Sequence, residues 1–372
     1  MSRILIVCGE ISGDLYAAQL AKDLKANAAN LVVAGIGGKR LAEEVDEFVF
    51  DCADKSAIGV GALFQKMTLF KALTTSLTAF LDTHDVSRVV IIDFQHHNFK
   101  LAALVKARNI SIITFITPNF WLWRDRRQAR KLAAYSDKIV AIFEKEYNFY
   151  RELTPDAFYF GHPLLSLLNR DGFSKKPATD GAFRVTFFPG SRKQEMKLYL
   201  APMLEIAALL KSQSSSIKFC LSLSAESFRG DVESHLKAAG LAEMEVTRDN
   251  QRSLFDRTDL LICASGTATL EAVLFKVPMI ILAALPPLTY FLAKYVLRIQ
   301  LDQVALPNII CQENVIPEYV QHQIRPKKIV ADINLLRQDD QLPALLERYE
   351  KVEVLMRKTK DPIKSAAALI LG

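Results

Sequence analysis

Short apolar runs rich in Val, Ile and Leu recur along this chain, and each is followed by turn residues and a helical pattern. They occupy residues 3–8, 30–36, 88–93, 110–116 and 137–143 in the first half, and 185–191, 217–223, 243–248, 260–266 and 279–283 in the second. Continuous apolar strands separated by helices are typical of a parallel sheet that is covered on both faces. The sequence therefore predicts an α/β protein with doubly wound sheets.

The strand and helix pattern stops at about residues 165–183, where Gly, Pro, Ser, Lys and Asp cluster. A chain of 372 residues is long enough for two domains of about 150 residues each. We predict an N-terminal doubly wound domain over 1–168, a similar C-terminal one over 183–340, and a helical tail over 341–372 that can pack on either domain. Because open α/β sheets bind ligands at the carboxyl ends of their strands, the cleft between the domains is the expected site.

Composition excludes several classes of protein. The five cysteines are odd in number and form no C-x-x-C pair, which excludes a disulfide framework or zinc site and favours a reducing cytoplasm. The longest uncharged stretch, residues 277–293, contains three prolines and is shorter than the roughly 20 residues of a membrane helix. The formal net charge of +6 favours an anionic partner, such as a nucleotide diphosphate, an acidic lipid or a nucleic acid.

The turn after the first apolar run reads GEISGD and contains small residues that a ligand can approach closely. Gly9 and Gly13 leave the backbone accessible, and Ser12 can cap the helix that follows. Asp14 argues against an anion bound directly at this turn, because its carboxylate would repel it. The alternative is a tight strand-to-helix turn that binds nothing.

Asp93 ends the run at 88–93, and polar residues follow it in the loop, among them Gln95, His96 and His97. A carboxylate at a strand end that faces a cleft can take a proton from a hydroxyl nucleophile. The alternative is an aspartate that caps a helix. Adjacent histidines point in different directions and no third ligand is near in sequence, so we expect no metal site.

The turn FFPGSRKQE in the second half suits a diphosphate. Gly190 and Ser191 end a strand, and Arg192 stands where the next helix begins. Backbone N–H groups, the helix dipole and a guanidinium group could therefore converge on one anion. The alternative is a surface arginine near a helix terminus.

A second such turn, CASGTATLE, follows another apolar run of the same half. Ser265, Gly266 and Thr267 are small residues at a helix start, suited to phosphate. Glu271, one turn into the helix, can accept hydrogen bonds from a ribose diol. Together the two turns predict a nucleotide pocket in the second half.

Two segments of the first half suit an amphipathic partner. Residues 117–127 hold both tryptophans, Trp121 and Trp123, with Arg124 directly behind them. This arrangement suits an amphipathic anionic substrate or nucleic acid, unless the tryptophans belong to the core. Residues 61–81 form an amphipathic helical pattern that is compatible with a membrane surface, with acyl chains or with an ordinary core stripe.

Eight motifs, in order along nearly the whole chain, resemble the lipid-A-disaccharide synthase family. They are GEISGD, GIGGKR, IIDFQHHNF, TPNFWLWR, FGHPL, FPGSRKQE, ASGTATLE followed by VPM, and LPNII with VIPEYVQ. The resemblance implies a GT-B architecture, two Rossmann-like domains that face a cleft. It also implies inverting transfer of 2,3-diacylglucosamine from its UDP donor to the 6-hydroxyl of lipid X, which forms a β-1,6 bond and releases UDP.

The resemblance further implies roles for individual residues, with no metal and no cofactor. Asp93 would be the catalytic base, and Arg192 would stabilise the departing diphosphate. The donor side would comprise Gly190, Ser191, Ser265, Gly266, Thr267, Glu271 and Asn308, and the acceptor side Ser12, Asn98, Trp123 and Arg124. A peripheral protein on the cytoplasmic side of the inner membrane is implied, with the helical tail packed back on the first domain.

The sequence is compatible with more than one enzyme of this kind. Gln95 and His96 depart from the family pattern beside Asp93, which leaves the acceptor or the base open. The alternatives are a lipid-linked N-acetylglucosaminyltransferase, a UDP-sugar epimerase, or a non-catalytic protein that binds a nucleotide sugar or lipid. The basic residues are spread along the chain, which argues against nucleic acid. A homodimer is compatible with the sequence, which sets neither oligomeric state, acyl-chain specificity nor the strength of membrane attachment.

Overall fold

The computed structural model describes residues 2–52, 62–93, 98–168, 181–249, 251–286, 289–290, 303–338 and 341–372. The chain divides into two compact units. The first unit comprises Met1–Asn169 and Leu355–Gly372, and the second comprises Arg170–Val354. Each unit contains one parallel sheet with helices between its strands, which confirms the predicted α/β class.

The first unit is built on a seven-stranded parallel sheet in the order β3-β2-β1-β4-β5-β6-β7. Its strands are β1 (Ser2–Cys8), β2 (Leu31–Gly37), β3 (Glu47–Asp51), β4 (Arg88–Ile92), β5 (Ser111–Phe115), β6 (Lys138–Ala141) and β7 (Ala157–Tyr159). The inner strands are almost completely buried, because helices cover the sheet. In register, Cys8 of β1 lies opposite Ile92 of β4.

Nine helices are described in the first unit. They are α1 (Ile11–Asn27), α2 (Lys39–Glu44), α3 (Ala62–Thr83), α4 (Asn98–Lys106), α5 (Phe120–Trp123), α6 (Arg126–Tyr135), α7 (Glu144–Arg151), α8 (Leu164–Leu167) and, from the end of the chain, α16 (Pro362–Leu371). In α3 the residues Leu73, Leu77 and Phe80 are buried in the core. The carboxyl-terminal half of the predicted amphipathic stripe is therefore core, and the side chains of 62–67 lie outside the described ones.

Helix α16 packs on α1, within the first unit. Its apolar side chains Ile363 and Ile370 are fully buried. Arg88 at the start of β4 donates to the carbonyl groups of Ile370 and Leu371, and Lys138 donates to that of Leu369 at 2.9 Å. These two cations satisfy carbonyl groups that have no partner within the helix and complement the negative end of its dipole.

The second unit contains a six-stranded parallel sheet in the order β10-β9-β8-β11-β12-β13. Its strands are β8 (Phe183–Phe188), β9 (Ile217–Ser222), β10 (Glu245–Thr247), β11 (Leu260–Ala264), β12 (Met279–Ala283) and β13 (Glu318–Val320). Its helices are α9 (Lys193–Gln213), α10 (Arg229–Ala238), α11 (Gln251–Asp256), α12 (Ala268–Leu274), α13 (Leu306–Cys311), α14 (Pro326–Leu336) and α15 (Gln341–Met356), whose last residues belong to the first unit.

No helix in the described parts of the chain is both long and apolar enough to cross a membrane. Ten of the described strands coincide with the apolar runs of the sequence, to within a few residues at either end. The three strands that the runs did not predict are β3, β7 and β13. All three lie at an edge of their sheet.

We expect Ile370→Ala to lower the free energy of unfolding of the first unit by about 2–5 kcal/mol, because it leaves a cavity at a fully buried position of α16. The measurement is urea unfolding followed by tryptophan fluorescence, since both tryptophans lie in this unit. The control is Lys364→Ala, at an exposed position of the same helix. It should change the free energy of unfolding by less than about 0.5 kcal/mol. Equal effects of the two variants would contradict the packing of α16.

Candidate functional site

The first candidate site lies where the turns after β1 and β4 meet. These strands are neighbours, so the GEISGD turn and Asp93 emerge side by side at the carboxyl edge of the sheet. The Ser12 hydroxyl donates a long hydrogen bond to Asp93 Oδ2 at 3.5 Å, although the residues are 81 positions apart. A Cβ placed on Gly13 would stand 3.5 Å from the Cβ of Asp93. Small residues thus leave room beside the Asp93 carboxyl.

The structure corrects the capping role predicted for Ser12. Helix α1 begins at Ile11 with Glu10 at its N-cap, so Ser12 lies within the first turn. Its side chain faces Asp93 instead. Asp93 is half-buried and has φ +44°, a left-handed conformation that is uncommon for residues other than glycine. Strain of this kind clusters at functional sites, which favours Asp93 as a residue of the site.

Asp14, predicted to repel an anion, has another function. It is 5% exposed, and its carboxylate accepts hydrogen bonds from the backbone N–H groups of Gly38 at 2.7 Å, Arg40 at 3.0 Å and Leu41 at 3.2 Å. The N–H groups at the start of α2 thus solvate its charge. Asp14 fixes α1 against the GIGGKR turn rather than facing a ligand.

The segment after β5 begins with Ile116, whose φ of +65° is strained for a β-branched residue. Trp121 is 5% exposed and packs on Phe143 with a ring distance of 5.7 Å, so this tryptophan belongs to the core. Trp123 is 47% exposed, and Arg124 beside it is exposed at φ +54°. Only the second tryptophan is therefore available to a substrate.

Part of the predicted acceptor side is not described. Asn98 begins α4, but its side chain lies outside the described residues, and so do Gln95, His96 and His97. Their predicted roles stay predictions.

The second candidate site lies where the turns after β8 and β11 meet. The two strands are neighbours, with Phe188 opposite Cys263, so both small-residue turns emerge at one edge of the sheet. Gly190 has φ +105°, and a Cβ there would collide with the carboxylate of Glu195. This position therefore requires glycine for two reasons: its positive φ, and the lack of space for a Cβ.

Glu195 changes the interpretation of the Arg192 turn. Its Oε2 accepts hydrogen bonds from the N–H groups of Ser191 at 2.8 Å and Arg192 at 3.2 Å. These are the donors that we expected to converge on a diphosphate, and in the structure described their acceptor is the Glu195 carboxylate. The Arg192 guanidinium lies 3.6 Å from Glu195 and is 65% exposed. Arg192 therefore remains the group that can reach an anion.

The ASGTATLE turn presents Thr267, which is exposed at the N-cap of α12, as the sequence predicted. Ser265 donates from its hydroxyl to the carbonyl of Val304 at 3.0 Å. Glu271 is half-buried in the first turn of α12, and the Gln251 amide lies against its carboxylate. Gly266 has open space on its Cβ side. The turn keeps Thr267 exposed and leaves open space beside the half-buried Gly266.

The structure corrects the assignment of Asn308 to the donor pocket. Asn308 is completely buried, and its amide donates to the carbonyl of Ile316 and accepts from its N–H, both at 2.9 Å. Both polar ends of the amide are thus engaged by the protein's own backbone. Asn308 holds the loop between α13 and β13 and presents no polar atom to a ligand.

The sequence did not identify Glu318 as a residue of this region. Glu318 fixes the segment that contains Val304, whose carbonyl accepts the hydrogen bond from Ser265. Its carboxylate accepts from the N–H groups of Val304 at 3.2 Å and Ala305 at 2.8 Å. The VIPEYVQ motif contains this residue, but nothing in its spacing points to a partner 13 and 14 positions earlier. Glu318 therefore stabilises the second site indirectly, through the backbone of Val304 and Ala305.

Comparisons with known proteins agree with this architecture. A family model described as lipid-A-disaccharide synthetase matches residues 4–371. A lipid-A-disaccharide synthase from Geobacter metallireducens is 32% identical over 338 residues, which cover 89% of this chain and 86% of that protein.

Solved structures resemble the chain more distantly in sequence. A Neisseria meningitidis UDP-GlcNAc 2-epimerase bound to UDP-GlcNAc has a TM-score of 0.66 at 14% identity, covering 99% of this chain and 98% of that one. Acinetobacter baumannii MurG has a TM-score of 0.61 at 12% identity, covering 100% and 99%. These likenesses concern the fold alone, and they confirm the predicted GT-B class.

We expect Asn308→Ala to lower the free energy of unfolding by about 2–4 kcal/mol, because it leaves the N–H and carbonyl of Ile316 buried without partners. UDP affinity under native conditions should not change. Urea unfolding followed by circular dichroism, together with calorimetric UDP binding, tests both statements. Asn334→Ala, which removes one surface hydrogen bond, is the control. Weaker UDP binding at unchanged stability would restore Asn308 to the donor pocket.

Proposed function

The chain belongs to the lipid-A-disaccharide synthetase family of glycosyltransferases, and we propose that it joins 2,3-diacylglucosamine to lipid X. The donor is the UDP-linked sugar, and the acceptor's 6-hydroxyl attacks its anomeric carbon. The products are UDP and the β-1,6-linked disaccharide 1-phosphate. We assign acceptor binding to the first unit and donor binding to the second.

The pair formed by Ser12 and Asp93 carries this proposal. As the bond from the acceptor oxygen to the anomeric carbon forms, the bond from that carbon to the diphosphate oxygen breaks, and Asp93 takes the hydroxyl proton. One base and one direct displacement invert the anomeric carbon. Ser12 donates a long hydrogen bond to one carboxylate oxygen, Oδ2, and so helps to orient the carboxylate.

The donor side of the proposal rests on the turns after β8 and β11. The exposed guanidinium of Arg192 stabilises the charge that develops on the departing diphosphate. Thr267 and Gly266 accommodate phosphate, and Glu271 accepts from the ribose hydroxyls. On the acceptor side, Arg124 pairs with the acceptor's phosphate and Trp123 packs against its apolar part.

We also propose that the protein rests on the cytoplasmic surface of the inner membrane. Helices α3 and α4 border an open crevice of about 480 Å³, lined by Phe70, Leu104 and Lys100 among others. The Lys100 ammonium lies 5.4 Å from the centre of the Phe70 ring, and Lys131 lies 4.7 Å from that of Phe99. Cations above aromatic rings suit anionic headgroups over acyl chains.

We expect Asp93→Asn to lower turnover about 10²- to 10⁴-fold, because the base is lost, while UDP affinity stays unchanged. The assay measures UDP release with UDP-2,3-diacylglucosamine, with and without lipid X, and identifies the lipid product by mass. UDP-N-acetylglucosamine is the control donor, and Asp85→Asn is the control variant, at an exposed position before β4.

Acceptor-independent UDP release, or turnover of UDP-N-acetylglucosamine without lipid X, would favour one of the alternative UDP-sugar enzymes. Unchanged turnover of Asp93→Asn would remove Asp93 from the mechanism while leaving the activity in place.

The membrane proposal predicts binding to vesicles that contain anionic phospholipid. Lys100→Ala with Lys131→Ala should weaken it about thirtyfold, since each basic side chain contributes about 1 kcal/mol. Sedimentation with vesicles of phosphatidylglycerol and phosphatidylethanolamine measures the affinity. Lys218→Ala with Lys237→Ala, exposed lysines of the second unit, is the matched control. Equal weakening by both pairs would indicate a general charge effect and contradict this surface.

A further inference from the structure

Glu146 of α7 is a buried carboxylate that joins two loops of the first unit. It is 1% exposed. Its Oε1 accepts from the N–H of Thr117 at 3.2 Å and from the Thr117 hydroxyl at 2.5 Å. Its Oε2 accepts from the N–H of Ile142 at 2.8 Å and of Phe143 at 3.3 Å. One oxygen therefore holds the segment after β5, and the other holds the turn after β6.

The segment held by Glu146 is the one that presents Trp123 and Arg124. Thr117 is its first residue, directly after Ile116, whose φ of +65° is strained for a β-branched side chain. A residue stays in such a conformation only where its surroundings over-determine it. Two hydrogen bonds from the next residue to a charged, buried acceptor provide that restraint.

We infer that Glu146 is a positioning residue, whose carboxylate holds the loop from Thr117 to Arg124 in the conformation that meets the acceptor. The acceptor role of this loop rests on the proposed function. The holding of the loop rests on the hydrogen bonds alone.

The charged form of Glu146 is the one that fits all four donors. A protonated Glu146, or a glutamine in its place, has an O–H or NH₂ group at one of the two oxygen positions. That group is a donor, and the groups of the protein that face it are donors too. The hydroxyl of Thr117 can turn and accept, but its backbone N–H cannot. Loss of the charge therefore leaves an N–H without an acceptor and loosens the loop at Thr117.

The charge of Glu146 can change near neutral pH. Burial raises the pKa of Glu146 to about 7, against the hydrogen bonds, which lower it. Tyr150 on α7 and Tyr159 on β7 interact with this carboxylate, and burial raises the pKa of both. Burial lowers the pKa of the nearby His162 to about 3. These three groups stay neutral around pH 7, so Glu146 is the group of this cluster whose charge changes there. The loop is therefore held above about pH 7, where Glu146 is ionised, and released below it, where Glu146 is protonated.

Tryptophan fluorescence tests the holding of the loop directly, because the only two tryptophans of the chain, Trp121 and Trp123, both lie in it. We expect emission and acrylamide quenching to change between pH 5 and 9 with a midpoint at about 7. The transition should be absent in Glu146→Gln and retained in Glu144→Gln, an exposed carboxylate of the same helix. A transition that survives in Glu146→Gln would overturn the inference, and so would emission and quenching at pH 8 that are the same in Glu146→Gln and the native chain.

Thr117→Val keeps the test decisive if Glu146→Gln does not fold. It removes one donor from Oε1 without changing any charge. Since that hydrogen bond favours the ionised carboxylate, its loss should move the fluorescence midpoint to higher pH and increase quenching of Trp123 at pH 8. An unchanged midpoint and unchanged quenching would contradict the contact.

Kinetics separate positioning of the acceptor from a general structural role. At pH 8 we expect Glu146→Gln to raise the KM for lipid X about tenfold, with kcat and the donor KM unchanged. In the native chain that KM should rise as the pH falls through about 7, and in the variant it should not depend on pH. Parallel changes in kcat and both KM values would indicate a structural role only. Absence of any transfer by the native chain would refute the proposed function, whereas the fluorescence titration judges Glu146 independently of activity.

Discussion

The order of the strands is the constraint on which the rest of the molecule depends. In each unit the first strand lies inside the sheet, with β1 between β2 and β4, and β8 between β9 and β11. The crossovers leave such a pair in opposite directions and open a crevice at its carboxyl ends. Ser12 meets Asp93 there, and the two phosphate-type turns meet at the corresponding point of the second unit. The strand order alone therefore brings residues that are far apart in the sequence next to each other.

The sequence predicted the buried strands well because both faces of an inner strand need apolar residues. The three missed strands lie at sheet edges, where one side lacks a neighbour and the pattern alternates or is short. Strand β3 contains Phe48, which is 41% exposed, between half-buried neighbours. Strands β7 and β13 have only three residues each. Such segments carry too few apolar positions to form a run, whatever their place in the fold.

The sequence located the candidate sites but not the partner of each polar side chain. Asp14, Glu195 and Asn308 all stand in or beside turns that suit a ligand, yet each binds the protein's own backbone. For Asp14 the choice depends on an N–H group brought near by the fold, that of Gly38, which follows Asp14 by 24 residues. For Glu195 the N–H groups are only three and four residues earlier, at the start of its own helix. Glu146 escaped notice for the same reason, since Thr117 lies 29 positions away and Phe143 at the N-cap gives no capping signature.

The return of α16 to the first unit affects the order in which the chain folds during synthesis. The residues of the second unit, 170–354, are made between the two parts of the first, a delay of roughly 10 to 40 s at bacterial rates of elongation. During that time the second unit can complete its own core, while α1 still lacks the helix that covers it. Nascent chains should therefore expose this face of α1 to chaperones and proteases until α16 has been synthesised, which makes the α16 segment decisive for the yield of native protein.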